Sequence, residues 1–234
     1  MEQYLMNKSS NNKFISFLQS NKKFLIFILL ISVFRSAVAD WYTVPTNSRQ
    51  PTIEVGDRLV VNKMAYDLRL PFTGVTLVSL DTPQRGKIVV FESKAAVLRL
   101  IKRVIGLPGD VVTMNNEIIQ VNGQTLSYKP LAKSPDVSNH TTTSAIETVG
   151  DITHHINIDN IASDSLSNFA PVTVPAGHYL VLGDNRRHSA DSRVYGFVPL
   201  HELRGKATAI AFSVNYDNYY LPRSNRFLQD IYQL

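Results

Sequence analysis

The feature that most limits what this chain can become is an apolar run near its start, Phe24 to Phe34, broken only by Ser32 and bounded by Lys22 and Lys23 before it and Arg35 after it. A segment apolar on every side has two stable homes, a bilayer or a protein core. The residues ahead of it are polar, rich in Asn and Lys, and supply no amphipathic partner, which argues against the core. Counted to Ala39 the run holds 16 residues. That is about 24 Å of helix against a hydrocarbon thickness of about 30 Å, a gap that snorkelling Lys and Arg side chains can close. Residues 24–39 are therefore expected to be a transmembrane anchor, residues 1–23 a cytoplasmic segment by the positive-inside rule, and residues 40–234 to lie outside. Trp41 and Tyr42 then fall at the outer interfacial belt. Ala37-Val38-Ala39 also fits the small-x-small pattern of a cleavage site, so a cleavable leader is the rival reading.

The chain's formal charge of +5 invites a nucleic-acid reading, but most of it sits at one end. Residues 1–39 carry five cations against Glu2; the remaining 19 basic and 18 acidic residues nearly cancel. With no basic stripe in the body, no nucleic-acid partner is expected, and the basic end reads as a topology signal. Cysteine is absent, which excludes a disulfide scaffold, Cys-ligated zinc and a thiol nucleophile.

Beyond residue 53 the pattern changes to short β-branched runs. Residues 88–91, 98–105, 111–113, 118–121, 179–182 and 207–212 read as strands, with turns at Asn115-Asn116, Asn122-Gly123 and Pro108-Gly109. The fold class expected is mostly β, an antiparallel sheet or barrel-like body behind the N-terminal transmembrane helix. Residues 127–171, rich in Ser, Thr, Asn, Asp and His, read as a polar insertion or small subdomain.

Three segments carry candidate chemistry. In the strand at 98–105, alternation sets Lys102 on the face of Leu98, Leu100 and Val104, opposite Arg99, Ile101, Arg103 and Ile105. An amine desolvated on an apolar face loses its charge more readily, as a general base must; a lysine whose stem covers apolar surface is the plain alternative. Pro45 and Pro51 restrict the loop that contains Thr46, Ser48 and Arg49, where a hydroxyl could be presented or simply exposed. After the apolar strand at 179–182 comes a polar loop, residues 183–193, in which Asp191 and Arg193 can pair and Ser189 can hydrogen-bond a neighbour.

Taken together and in this order behind an apolar N-terminal run, the segments PTNSRQPTIEVGD (45–57), RGKIVVF (85–91), LIKRVIGLPGD (100–110) and GDNRRHSADSRVYGFVP (183–199) resemble the type I signal peptidases, membrane-bound serine proteases with a Ser/Lys dyad. The resemblance implies Ser48 as nucleophile, Lys102 as general base, Thr46 with the backbone N–H of Ser48 as the oxyanion hole, Ser189 as the residue orienting the lysine, and Asp191 with Arg193 as a structural ion pair. Arg103 also matches, without a chemical role. It implies a serine endopeptidase without cofactor or metal, working through an acyl-enzyme on signal peptides of exported preproteins. The peptide would lie extended along a strand edge with small residues one and three positions before the cut. The implied location is the bacterial cytoplasmic membrane, single-pass, with the N-terminus inside, the catalytic domain on the outer face and the lipid bilayer as a partner; no obligate protein partner is evident. The resemblance also favours retention of the anchor.

Two departures stand out. Arg49 follows the nucleophile where the family usually has an apolar residue, commonly methionine; a cation there is expected either to depress the Lys102 pKa further or to alter contact with lipid and substrate. Arg187-His188 departs within the polar loop and bears on fine specificity. Ser10-Asn11-Asn12-Lys13 matches S-x-x-K spacing but lacks partner motifs. His140, His154 and His155 read as solvated loop rather than a metal site, because adjacent residues on an extended strand face opposite ways. Asn139-His140-Thr141 fits a glycosylation acceptor only weakly. Rival functions are a specialised precursor peptidase of a pilus or conjugation system, and a non-catalytic membrane-anchored β-rich binding module. Cytosolic Ser/Lys self-cleaving repressors fit poorly, since no DNA-binding domain stands in place of the apolar run.

Overall fold

A computed structural model describes residues 16–44, 46, 48–131, 142–159 and 164–232. The Ser10–Lys13 spacing, His140 and the Asn139–Thr141 acceptor lie outside them.

Helix α1 (Lys22–Ala37) takes up the apolar run, and Phe24, Phe27, Leu30 and Phe34 on it are exposed. Helical backbone bonds also run across Asn21, from its N–H to Phe17 O at 3.1 Å and from Leu25 N–H to its own O at 3.0 Å. Among the described residues no helix is long and apolar enough to cross a membrane. The helix stops two residues before the expected anchor end. Val38 closes it with an N–H bond to Phe34 O at 2.8 Å and then accepts from Lys63 N–H at 2.9 Å, and Ala39 opens a strand.

The body is mostly β, as the pattern indicates. In chain order the strands are β1 (Ala39–Thr43), β2 (Asp57–Asn62), β3 (Asp67–Arg69), β4 (Thr76–Ser79), β5 (Ile88–Ser93), β6 (Leu98–Gly106), β7 (Val111–Asn115), β8 (Ile118–Val121), β9 (Gln124–Thr125), β10 (Ser127–Pro130), β11 (Thr142–Val149), β12 (Ile152–Asp159), β13 (Phe169–Thr173), β14 (His178–Leu182), β15 (Val198–Pro199) and β16 (Leu203–Asn215). The main antiparallel sheet runs β1-β2-β16-β5-β6-β14-β15; β13-β7-β8-β9, β10-β11-β12 and β3-β4 form smaller sheets. Every expected strand is present. β7 and β8 join at Asn116-Glu117, both at positive φ, one residue later than the expected Asn115-Asn116 turn, while Asn122-Gly123 turns where expected.

Both faces of β6 are covered, which is why its inner residues read as nearly continuous burial. Leu100, Lys102 and Val104 face the cluster of Val89, Phe91 and Val181; Ile101 and Ile105 on the other face join Ile88, Val90 and Leu182 in two further clusters. Two of the open strand edges flank the Ser48 loop. β1 is bonded on one side only, and β14 meets β6 from Arg103 onward, so Leu98–Lys102 is paired with β5 alone among the described strands.

Residues 127–171 are more than an insertion of loops. β10, β11 and β12 form a three-stranded sheet, and β12 docks on the polar loop through an Asn157 N–H bond to Asp184 O at 2.9 Å. His154, expected in solvated loop, is 2% exposed on β12 beside Glu147, while His155 on the opposite side is half-buried. The two histidines do face opposite ways, and His154 is buried rather than solvated because its side of β12 packs on Glu147 and Asp184.

Candidate active site

Ser48 lies in the loop between β1 and β2, just beyond the buried Val44. Its hydroxyl is 3.5 Å from Thr46 Oγ1, and its carbonyl accepts from Asn185 N–H at 3.2 Å. The loop is pinned from below. Ile53 is fully buried, Thr52 Oγ1 donates to Asp184 at 2.9 Å, and Arg226 binds both the Thr52 carbonyl at 3.2 Å and the Asp57 carboxylate at 2.6 Å.

Lys102 sits on β6, 1% exposed, and its Nζ donates to Ser189 Oγ at 2.9 Å. Burial is the main force pulling its pKa down to about 8; Arg49 and Arg193 push the same way, and Asp191 and Asp184 oppose them. The expectation of a desolvated lysine on an apolar face is met, since Leu100 and Val104 flank it on that face.

Gly183 brings the pieces together. A Cβ on it would lie 2.1 Å from Ser189 Oγ and 2.5 Å from the Ser48 carbonyl oxygen, so only a glycine lets the two serines pack against one backbone atom. Asp191 holds this glycine by accepting its N–H at 2.9 Å and pairs with Arg193 at 2.6 Å, both side chains nearly buried. Arg193 in turn donates to the carbonyls of Leu166 and Arg186, each at 2.8 Å. The expected ion pair therefore ties three segments into one brace. Among the described residues no hydrogen bond joins Ser48 Oγ to Lys102 Nζ directly; each hydroxyl and amine is instead paired with its neighbour, Thr46 and Ser189 respectively. Such contacts commonly tighten only when substrate is bound.

Sequence reasoning gave Asp184 no part and left Arg103 without one. Arg103 binds both oxygens of Asp184, at 3.0 and 2.8 Å, and donates to Gly86 O at 2.7 Å. Asp184 also takes Arg49 at 2.7 Å, and this cluster holds its carboxyl far below the usual carboxylate range despite the burial that opposes it. Arg49 is buried, so the lipid-contact reading of that departure falls away. The signal that was available is the pair Lys102-Arg103, adjacent cations pointing to the two buried faces of one strand, which demands carboxylates nearby.

A groove of about 700 Å³ opens at Ser48. Its walls are β1 with Val44 on one side and Leu98–Ile101 of β6 on the other, the two open strand edges, with Thr46 and Ser48 between them. An extended peptide laid there can hydrogen-bond to one or both edges. No group of three or more His, Cys, Asp or Glu suited to a metal occurs among the described residues.

Comparison with known proteins identifies the family. The family model described as signal peptidase, peptidase S26, matches residues 17–212. Signal peptidase I of Pseudomonas aeruginosa is 34% identical over 214 residues, covering 86% of this chain and 75% of the relative. A probable signal peptidase I-2 of Synechocystis sp. is 33% identical over 198 residues, covering 82% and 72%.

Proposed function

The chain belongs to the signal peptidase family, peptidase S26, and from that premise we propose that Ser48 and Lys102 are the nucleophile and general base with which it works. It is a serine endopeptidase that removes signal peptides. Neutral Lys102 takes the proton of Ser48, whose oxygen attacks the scissile carbonyl; the oxyanion is met by Thr46 Oγ1–H and the Ser48 N–H. The protonated amine then gives its proton to the leaving amino group, and water attacks the acyl-enzyme with Lys102 again as base. Ser189 acts as a positioning residue that fixes the amine, and Asp191 with Arg193 fixes Ser189. The carrying observation is the buried Lys102 amine held at 2.9 Å by Ser189 around the glycine that also packs against Ser48.

The substrate is a preprotein whose signal peptide enters the groove extended, the side chains one and three positions before the cut turned to the same wall. We further assign α1 to the membrane and the body to its outer face. Support comes from the exposed apolar side chains of α1, its flanking cations, and Trp41, 54% exposed on the strand β1 that follows it. A hairpin of β3 and β4 with Phe72, Val75 and Leu77 exposed joins the end of the helix through a Phe72 N–H bond to Ser36 Oγ at 2.8 Å, continuing the apolar surface.

The test uses detergent-solubilised full chain and a panel of precursors. Ser48→Ala and Lys102→Ala each lose at least about a hundredfold in cleavage. Retention of activity in either variant rejects the assignment.

A further inference from the structure

The residue after the nucleophile has no outlet to water. Arg49 is 1% exposed; its Nη1 donates to Asp184 Oδ1 at 2.7 Å and to Leu182 O at 3.3 Å, while Nε and Nη2 have no hydrogen-bond partner. Asp184 is already engaged by Arg103 through both oxygens and by Thr52. One carboxylate therefore answers two guanidinium groups. The other buried charges around Lys102 come in closed pairs: Asp191 with Arg193, and Glu147 with Arg186. His154, whose Nε2 lies 3.2 Å from Glu147 and 3.6 Å from Asp184, has its charged form disfavoured by burial. Four arginines thus face three carboxylates in this region, and the surplus cation is the one next to Ser48.

A surplus buried charge repels a second of the same sign, and Lys102 is the group that can relieve the repulsion by giving up its proton. We propose that Arg49 is a positioning residue for both halves of the dyad: its guanidinium latches the Ser48 loop to Asp184 and supplies the surplus cation that favours the uncharged form of Lys102. This rests on the assignment of Ser48 and Lys102 given above. It is consistent with the direction in which Arg49 acts on Lys102, and with the lowering of the arginine's own pKa to about 10, which burial causes and Asp184 only partly offsets.

The experiment is the pH profile of kcat/KM for the full chain on a precursor with alanine one and three positions before the cut. Wild type, Arg49→Met, Arg49→Gln and Arg49→Lys are compared, with melting curves for each. Removing the cation raises the Lys102 pKa, so the acid limb of Arg49→Met moves to higher pH; activity at neutral pH falls several-fold and activity on the alkaline plateau falls less. Arg49→Lys restores the limb. If Arg49→Met does not fold, Arg49→Gln, which keeps a donor toward Asp184, carries the same reading. An acid limb unmoved in the uncharged variants overturns the proposal, even where the plateau drops, since loss of packing alone lowers the plateau without moving the limb. Ser48→Ala and Lys102→Ala, assayed alongside, separate the two claims: activity in these variants rejects the dyad itself, whereas inactivity together with an unmoved limb rejects only the role of Arg49.

Discussion

Lys102 shows how one side chain trades stability for chemistry. Its pKa falls from the ordinary lysine value to about 8 on folding, so between those values the unfolded chain binds the extra proton and stability rises with pH. Below that window the cost is fully present. Lys102→Met is accordingly expected to melt at a higher temperature than wild type at neutral pH, by a few kcal/mol of stabilisation, while losing activity. A lower melting temperature for the variant would contradict the desolvation reading. Cleavage by the wild type should rise as pH climbs through about 8. At the proposed oxyanion hole, Thr46→Val removes a donor and is expected to lower kcat by about 10²- to 10³-fold, with Thr46→Ser restoring most of it; equal kcat for all three proteins would dismiss that role. Ser48, Lys102 and Ser189 each had a plain alternative when read alone, and their roles were implied only by the resemblance of the ordered segments to the type I signal peptidases. Asp184 was not legible, because its partners Arg49, Thr52 and Arg103 come from segments far apart in the chain.

At the scale of elements, the strands of the core could be read from alternation and β-branched runs; the burial of β6 on both faces shows from Ile101 to Gly106 despite Lys102 and Arg103 within it. β1 could not be read in this way. Ala-Asp-Trp-Tyr-Thr lacks the apolar alternation of a strand, and what makes it one is β2, which pairs with it residue for residue from Asn62 to Arg58. The sheet β10-β11-β12 was hidden for a different reason: its burial comes from ionic contacts beneath the polar loop as much as from apolar ones, and charge pairs leave no hydrophobic periodicity. Gly183 is where these elements meet. Gly183→Ala forces Ser48 and Ser189 apart and is expected to abolish cleavage. The chain should still fold, because none of the atoms nearest an added Cβ belongs to the apolar clusters; wild-type kinetics in this variant would show that the serines need not pack so closely.

For the whole molecule, the groove, the apolar hairpin of β3 and β4 and the end of α1 belong to one region, linked through Ser36 and Phe72 and through Arg35, which lines the groove. Trp41 is the chain's one tryptophan and stands in the groove wall, with Arg35 stacked on its ring at 4.4 Å. Reconstituted into vesicles with lipids brominated near the headgroup, the full chain is expected to show quenched Trp41 fluorescence; unquenched emission would detach the groove from the bilayer. The same architecture bears on the Ala37-Val38-Ala39 junction. Ala37 ends the helix, Val38 is bonded to Phe34 and Lys63, and Ala39 is zipped to Asn62. Cutting the chain there would first require β1, the strand edge to which substrate binding is assigned in the proposal above, to part from β2. Mass measurement of the active protein is therefore expected to find residues 1–39 retained, and a chain beginning at Asp40 would overturn that expectation.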